Sequence, residues 1–189
     1  MFDEVICGWG RLGESFGAQA FGVTPDVMTM AKALTNGAQP MGAVAVKQEI
    51  YDAITDAGPE RGIEFFHGYT YSGHPASCAA GLAMMDIIKK DRLIDRAREM
   101  SPYFADAIHS LRDLPSVSDI RSIGMFAAVE VVSSGSPGAR GHLAQKRLYD
   151  RGLHLKSTAE SLIIAPALIT EKKHIDEIVD KLREVLASL

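Results

Sequence analysis

Two residues near the start of the chain could together do amine and acid–base chemistry. Asp3 and Lys32 each end a short apolar run. Such runs predict short buried strands, so both side chains could project into one crevice at the carboxyl ends of neighbouring strands. A lysine amine there can form a Schiff base, and a carboxylate can keep a pyridine nitrogen protonated. The pair therefore suits an enzyme that uses pyridoxal phosphate.

Several motifs follow one another in a definite order around this pair. They are Asp3-Glu4-Val5, Gly8-Trp9-Gly10-Arg11, Pro25-Asp26, Ala31-Lys32, Pro40-Met41-Gly42-Ala43 and His67-Gly68-Tyr69-Thr70-Tyr71-Ser72-Gly73-His74-Pro75. This set resembles the class III aminotransferases, and within them the ω-amino acid:pyruvate (β-alanine:pyruvate) branch, from Met1 to about Leu189. Enzymes of that family also carry a long amino-terminal half with a glycine/serine phosphate loop. Nothing here corresponds to it, so the chain looks like the carboxyl-terminal half.

The resemblance implies a fold as well as an activity. The fold class would be α/β, as part of a fold type I PLP-transferase. Residues 1–100 would form the last part of the PLP-binding large domain, with its mostly parallel sheet and the connecting helix. Residues 101–189 would form a small α+β domain. The implied reaction moves an amino group from an ω-amino acid or amine, such as β-alanine, to the keto acid pyruvate.

The resemblance also assigns cofactor-binding residues. Asp3 would hydrogen-bond the pyridine nitrogen, and Val5, two residues on and on the same side of the strand, would pack beneath the ring. Lys32 would form the Schiff base and then move the substrate proton, which requires a partly desolvated amine. Tyr69 and Thr70 lie in the stretch that would bind the phosphate, with Thr70 reaching the cofactor of a partner subunit. A homodimer or dimer of dimers with shared sites is therefore expected.

Two positions on the substrate side depart from the family pattern. Trp9 stands at the expected substrate entrance, where phenylalanine is commoner. Lys156 stands where relatives usually have an arginine that grips the substrate carboxylate, and Ala159-Glu160 stand where relatives have Gly-Asp. A lysine offers a point charge in place of a bidentate fork, so we hypothesise an altered acceptor preference. Alternatively, Lys156 simply extends to solvent.

Hydrophobic periodicity and turn residues predict the elements that would carry these side chains. The predicted strands are Phe2–Cys7, Val27–Ala31 and Ala43–Val46, all parallel; two strands within Val117–Val131 about a glycine turn; and Leu162–Ala165. The predicted helices are Pro75–Leu111, His142–Gly152 and Glu171–Leu189.

Composition limits the possible partners and compartment. A formal net charge of −4 argues against nucleic acid or an anionic membrane as the main partner. Two cysteines imply no disulfide framework, and no signal peptide or membrane-length apolar run is present. We therefore expect a cytoplasmic protein that acts on small molecules.

Three alternatives accompany this interpretation. Gly8–Gly13 is a literal GxGxxG after a strand, the fingerprint of dinucleotide binding, but the residues after it contain no crossover helix. His67 and His74 have no carboxylate or cysteine at ligand spacing, so no metal is expected. The chain could also be a truncated, catalytically silent aminotransferase fragment that acts at most as an interaction module.

Overall fold

A computed structural model describes residues 1–68 and 70–189, which form two compact units. The first unit comprises Met1–Gly10 and Glu14–Leu93, and the second comprises Arg11–Gly13 and Ile94–Leu189. The division predicted at residue 100 falls inside a helix of the second unit. The assignment of the two units to a large and a small domain stays a prediction.

The first unit contains a three-stranded sheet of β1 (Phe2–Asp3), β2 (Val27–Met30) and β3 (Ala43–Val46). β1 and β2 are parallel, whereas β3 is antiparallel to β2. The prediction that all three strands are parallel is therefore wrong. The connection from β2 to β3 contains a short 3-10 turn, Lys32–Leu34, in place of a crossover helix, so the chain returns antiparallel.

β1 is also shorter than predicted. It ends at Asp3 rather than Cys7, because the chain turns immediately afterwards. The Gly8 N–H donates a hydrogen bond to the Glu4 carbonyl at 2.9 Å, which closes that turn. The apolar run thus continues in sequence after the extended backbone has stopped.

The helices of the first unit are α1 (Gly17–Ala20), α2 (Gln48–Asp56) and α3 (Pro75–Lys90). α2 was not predicted. The predicted helix Pro75–Leu111 is broken, because Arg92 has a left-handed backbone with φ +50°. A new helix, α4 (Leu93–His109), begins directly after it and is followed by a 3-10 turn at Ser110–Asp113.

The second unit is built on an antiparallel sheet with the strand order β4-β5-β7-β6. Its elements are β4 (Val117–Ile123), β5 (Phe126–Val131), α5 (Ala139–Asp150), β6 (Lys156–Thr158), β7 (Ser161–Ile164) and α6 (Lys172–Ala187). The glycine-turn hairpin is confirmed, with Gly124 at φ +58°. The helices and β7 lie within three residues of their predicted ends. β6 was not predicted.

One face of this sheet packs against the helices. Ile120, Val129 and Leu162 occupy one row across three strands and are buried with Phe104 and Leu182. Alternation along each strand leaves the opposite face partly open, with charged side chains such as Arg121 and Glu130 beside apolar ones. The arrangement of helices on one face of an antiparallel sheet matches the predicted α+β architecture.

Among the described residues, no helix is both long enough and apolar enough to cross a membrane.

Candidate active site

Asp3 lies at the carboxyl end of β1, next to the carboxyl end of the parallel strand β2. It is paired in register with Thr29, whose hydroxyl donates to Asp3 Oδ1 at 3.4 Å. The Val5 N–H donates to the same oxygen at 3.0 Å. Among the described residues, Oδ2 has no hydrogen-bond partner. The carboxylate is therefore oriented through one oxygen, and the other is available to a ligand.

Lys32 follows β2 by two residues, at the same edge of the sheet as Asp3. It begins the 3-10 turn with a left-handed backbone, φ +46°, a conformation that is uncommon for a side chain other than glycine. Leu34 and Thr35 are buried and anchor the turn, and the Thr35 hydroxyl donates to the Gln39 carbonyl at 2.6 Å. The structure thus confirms the predicted placement of Asp3 and Lys32 at adjacent strand ends.

The environment predicted for Lys32 is wrong for this unit. The amine was expected to be partly desolvated, whereas the residue is exposed. The physical reason is local: the buried side of the 3-10 turn is occupied by Leu34, and Lys32 lies on its exposed side.

Val5 is half-buried, but it does not lie on a strand as the sequence predicted. It was expected to share one face of an extended strand with Asp3. Because β1 ends at Asp3, Val5 lies in the following turn, where its N–H serves the Asp3 carboxylate. Its predicted place beneath a cofactor ring stays a prediction.

Trp9 lies in the turn region after β1 and has an unusual backbone. Its φ is +67°, and its N–H donates to the Ser15 carbonyl at 2.6 Å. The indole meets the Phe16 ring edge to face, with centroids 5.3 Å apart. The indole Nε1 is buried and has no hydrogen-bond partner in the described part of the chain. Trp9 therefore combines a strained backbone with an indole N–H whose burial is not compensated.

Sequence reasoning missed Glu4, the neighbour of Asp3. Only 1% of Glu4 is exposed, and its carboxylate accepts the N–H groups of Gly17 at 2.8 Å and Ala18 at 2.7 Å. A glutamate inside an apolar run, followed later by a Gly-Ala pair, is the signal that could have pointed to it. A buried carboxylate needs such donors because burial without them is costly.

The GxGxxG segment does not have the structure of a dinucleotide site. The helix after it, α1, contains four residues, which is too short for a crossover helix. Arg11, in the second unit, donates to the Met125 carbonyl at 3.0 Å and to the Pro166 carbonyl. Burial lowers the pKa of Arg11, but a guanidinium stays protonated at neutral pH. Arg11 therefore organises its own unit and is not a free anion receptor.

Thr70 lines an open cavity of about 730 Å³ in the first unit. The cavity lies where α3 begins after His74, and Ser72 and Ser77 also line it. Hydroxyl groups and helix amides are donors that an anion such as phosphate needs. Tyr69, the other residue predicted to bind the phosphate, lies outside the described residues.

Lys156 is exposed at the start of β6 in the second unit. It shares a row on the open face of the sheet with Ile163, Ala128 and Arg121. Arg121 is paired with Asp119 at 2.6 Å and Glu130 at 3.2 Å. No carboxylate pairs with Lys156 in the part of the chain that is described. Lys156 is therefore the cation of that row that is available to an anionic ligand.

The neighbouring Ala159-Glu160 pair has a structural role. Ala159 has a left-handed backbone with φ +49°. The Glu160 carboxylate accepts the N–H groups of Gly138 and Gly141, both at 3.0 Å, and the Ser133 hydroxyl at 2.9 Å. These bonds, led by that from Gly141, lower the pKa of Glu160. Glu160 therefore caps the start of α5.

No group of three or more possible metal-ligating side chains occurs within residues 1–68 and 70–189.

A parallel strand pair followed by a carboxylate and a lysine, with a hydroxyl-lined cavity in the same unit, is compatible with the pyridoxal phosphate site that the sequence predicts. The model of the class-III aminotransferases matches residues 1–186. The chain belongs to this family, and pyridoxal phosphate is the cofactor of the family.

Individual relatives agree with this assignment. An omega-aminotransferase of Caulobacter vibrioides is 47% identical, over 100% of this chain and 43% of the relative. A beta-alanine–pyruvate aminotransferase of Pseudomonas aeruginosa is 42% identical, over 98% of this chain and 42% of the relative. The solved structure of an omega transaminase from Pseudomonas jessenii in complex with PMP superposes with a TM-score of 0.92 at 31% identity, over 98% and 42%. The fold is therefore that of fold type I transaminases, and the chain spans less than half the length of these relatives.

Proposed function

We propose that this chain carries the catalytic lysine and the ring-binding carboxylate of a pyridoxal phosphate-dependent transaminase that moves amino groups from ω-amino acids or amines to pyruvate. The observation that carries the proposal is the position of Asp3 and Lys32 at the carboxyl ends of two adjacent parallel strands. Family membership supports the reaction class, and the identified relatives support the substrate class.

The residues present fit the cofactor. Asp3 Oδ2 is an unused acceptor beside a strand end, and Lys32 supplies an exposed amine at the same edge. The Thr70 cavity supplies hydroxyl and amide donors, which in the proposed dimer would bind the phosphate of the partner's cofactor. When bound, pyridoxal phosphate supplies an aldehyde that condenses with amines and a ring that accepts an electron pair.

Lys32 and Asp3 would divide the work between them. The carboxylate of Asp3, held by the Val5 N–H and the Thr29 hydroxyl, would keep a bound ring nitrogen protonated. Lys32 Nζ would remove the proton from the substrate carbon that bears the amino group. Because Lys32 is exposed, its amine is accessible to cofactor and substrate.

On the substrate side, the proposal assigns a role to each of two residues. Trp9 would form a wall of the substrate entrance, and Lys156 would attract the substrate carboxylate as a point charge. Because Lys156 has no ion-pair partner among the described residues, its charge is not already neutralised. A single ammonium holds a carboxylate less directionally than a guanidinium fork. We therefore infer that carboxylate-bearing substrates bind less selectively than they would to an arginine.

We also infer a cytoplasmic homodimer, or dimer of dimers, in which Thr70 serves the partner's cofactor. The first unit exposes large apolar side chains, including Val44 (64% exposed), Leu82 (64%) and Phe66 (91%). Exposed apolar surface of this kind marks sites of protein association. Cys7 and Cys78 are free thiols, which suits a reducing compartment.

The activity is tested by following alanine formation from β-alanine and pyruvate in the presence of pyridoxal phosphate. Wild-type chain and Lys32→Ala are compared, with Lys47→Ala as the control because Lys47 is tied to Asp26 at 2.6 Å. The proposal expects turnover in wild type and in the control and none above background in Lys32→Ala. Cofactor binding without turnover in all three proteins would instead favour a catalytically silent fragment.

A further inference from the structure

Glu4 forms hydrogen bonds on both sides of the turn that carries Trp9, to Gly8 before it closes and to Gly17 and Ala18 after it. We call residues 5–10 and 14–16 the Trp9 loop. The Glu4 carbonyl accepts the Gly8 N–H at 2.9 Å on one side of the loop. Its carboxylate accepts the N–H groups of Gly17 and Ala18 at 2.8 and 2.7 Å directly after the other side. One residue therefore ties together the beginning and the end of the loop.

The backbone at Gly8 and at Gly17 lies so close to Glu4 that a larger residue at either position would crowd it. A Cβ atom at Gly8 would lie 2.8 Å from the Glu4 carbonyl, and one at Gly17 would lie 3.1 Å from Glu4 Oε2. Glu4 itself is 1% exposed, and no cation pairs with it among the described residues. The two amides are thus the hydrogen bonds that compensate for burial of its carboxylate.

Trp9 needs an external constraint to keep its conformation. A left-handed backbone is unfavourable for a tryptophan, and an indole N–H buried without a partner is unfavourable as well. The contacts that oppose these costs are the bond to Ser15 and the ring contact with Phe16. Both partners lie in the stem that ends at the Glu4-bound amides.

We propose that Glu4 is a positioning residue, which holds the Trp9 loop closed on the end of β1 and so fixes the Trp9 indole relative to Asp3. The consequence for substrate selection rests on the proposed function, in which Trp9 forms a wall of the substrate entrance. Glu4 itself touches neither cofactor nor substrate in this account. It acts through the backbone of the loop.

The test uses Trp9 as its own reporter, because it is the single tryptophan of the chain. In Glu4→Gln the amide has one acceptor oxygen, and its NH₂ group faces a backbone donor. Far-ultraviolet circular dichroism first checks that the variant keeps its secondary structure. We then expect acrylamide quenching of Trp9 fluorescence to rise about threefold, because one buried hydrogen bond of residue 4 is lost. Glu49→Gln, on the exposed surface of α2, is the matched control and should leave quenching unchanged.

A second variant leaves Glu4 in place. Gly17→Ala inserts a methyl group 3.1 Å from Glu4 Oε2 at a backbone angle that alanine tolerates, so it displaces the carboxylate while preserving its charge. It should also raise Trp9 quenching, and it decides the question if Glu4→Gln does not fold. A role limited to stability would lower the melting temperature without changing quenching in the folded state. Unchanged quenching in the folded variants would overturn the proposal.

The same samples separate this inference from the proposed function. They are also incubated with pyridoxal phosphate and reduced with borohydride to read the labelling of Lys32. Glu4-dependent quenching without any Lys32 label in wild type would contradict the proposed function and leave the positioning role intact. Normal Lys32 labelling with Glu4-independent quenching would contradict the positioning role alone.

Discussion

Asp3 and Thr29 are register partners on the parallel strands β1 and β2, and the Thr29 hydroxyl donates to the Asp3 carboxylate at 3.4 Å. The second donor to Asp3 is the backbone N–H of Val5 at 3.0 Å. Both reach the same oxygen, so the carboxylate is held in one orientation with its other oxygen unused. This orientation is what a cationic ring nitrogen would need at the end of β1.

Substitutions at these two positions should change cofactor affinity to different extents. Thr29→Val removes one long hydrogen bond, so we expect pyridoxal phosphate to bind about threefold more weakly. Asp3→Asn removes the charge and should weaken binding by about tenfold or more. Spectroscopic titration with the cofactor measures both effects, with Thr24→Val, on an exposed loop, as the control. Equal affinity for wild type and Asp3→Asn would show that Asp3 does not contact the ring.

Restoring an arginine at position 156 should change substrate preference. In a turnover-competent protein, Lys156→Arg should lower the KM for carboxylate-bearing substrates by about tenfold, because a guanidinium binds a carboxylate bidentately. The KM for an amine without a carboxylate should not change. Steady-state kinetics with both substrate types measures this, and Lys146→Arg, on the exposed side of α5, is the control. Unchanged values for both substrates would mean that Lys156 simply extends into solvent.

Ala159→Gly should stabilise the second unit. Ala159 has φ +49°, which is strained for a residue with a Cβ atom and unstrained for glycine. Relief of that strain outweighs the extra backbone entropy of the unfolded state, so we expect a gain of about 0.5–1 kcal/mol. Urea unfolding measures the change.

The control for Ala159→Gly is Ala167→Gly, whose residue is also exposed but lacks the left-handed backbone. It should lose about 0.5–1 kcal/mol, because only the entropy term remains. The strain argument fails if both substitutions destabilise the protein equally.

The stability of the second unit should depend on the ionisation of Glu160. Hydrogen bonds from Gly141, Ser133 and Gly138 lower its pKa in the folded state below the usual value of 4.5. Because the pKa of Glu160 is lower in the folded state, its ionised form stabilises the fold. This stabilisation is complete above the unfolded-state pKa and is lost as the pH falls through the folded-state pKa. Wild type should therefore exceed Glu160→Gln in stability at pH 7, and the difference should shrink below about pH 4.5.

Urea unfolding of both proteins between pH 7 and pH 3 measures this linkage. A difference that stays constant over this range would show that the ionised form of Glu160 is not favoured in the folded state.

Much of the site arrangement could be predicted from the sequence. The ends of β2 and β3 lie within one residue of their predicted positions, because short apolar runs bounded by turn residues are a strong signal. That signal also placed Asp3 and Lys32 at neighbouring strand ends. It could not give the direction of β3, because an apolar run occurs in parallel and in antiparallel strands alike. The direction depends instead on the connection from β2 to β3.

Other errors have specific causes. The break between α3 and α4 depends on one left-handed residue, Arg92, in a segment whose helical periodicity is otherwise continuous. The early end of β1 depends on the hydrogen bond from Gly8 to Glu4, which joins residues four apart inside an apolar run. The proposed role of Glu4 depends on its hydrogen bonds with the amides of Gly17 and Ala18, and no helical or strand periodicity in the sequence predicts these contacts. Such features arise from tertiary contacts and are not visible in local patterns.

The central claim, that Lys32 is the amine that holds the cofactor, is tested most directly by reductive labelling. The purified chain is mixed with pyridoxal phosphate, reduced with borohydride, digested and mapped by mass spectrometry. Lys32→Ala and Lys47→Ala are treated in parallel. The account predicts stoichiometric label on the peptide that contains Lys32, retained in Lys47→Ala and lost in Lys32→Ala. Label scattered over other lysines, or unchanged in Lys32→Ala, would contradict it.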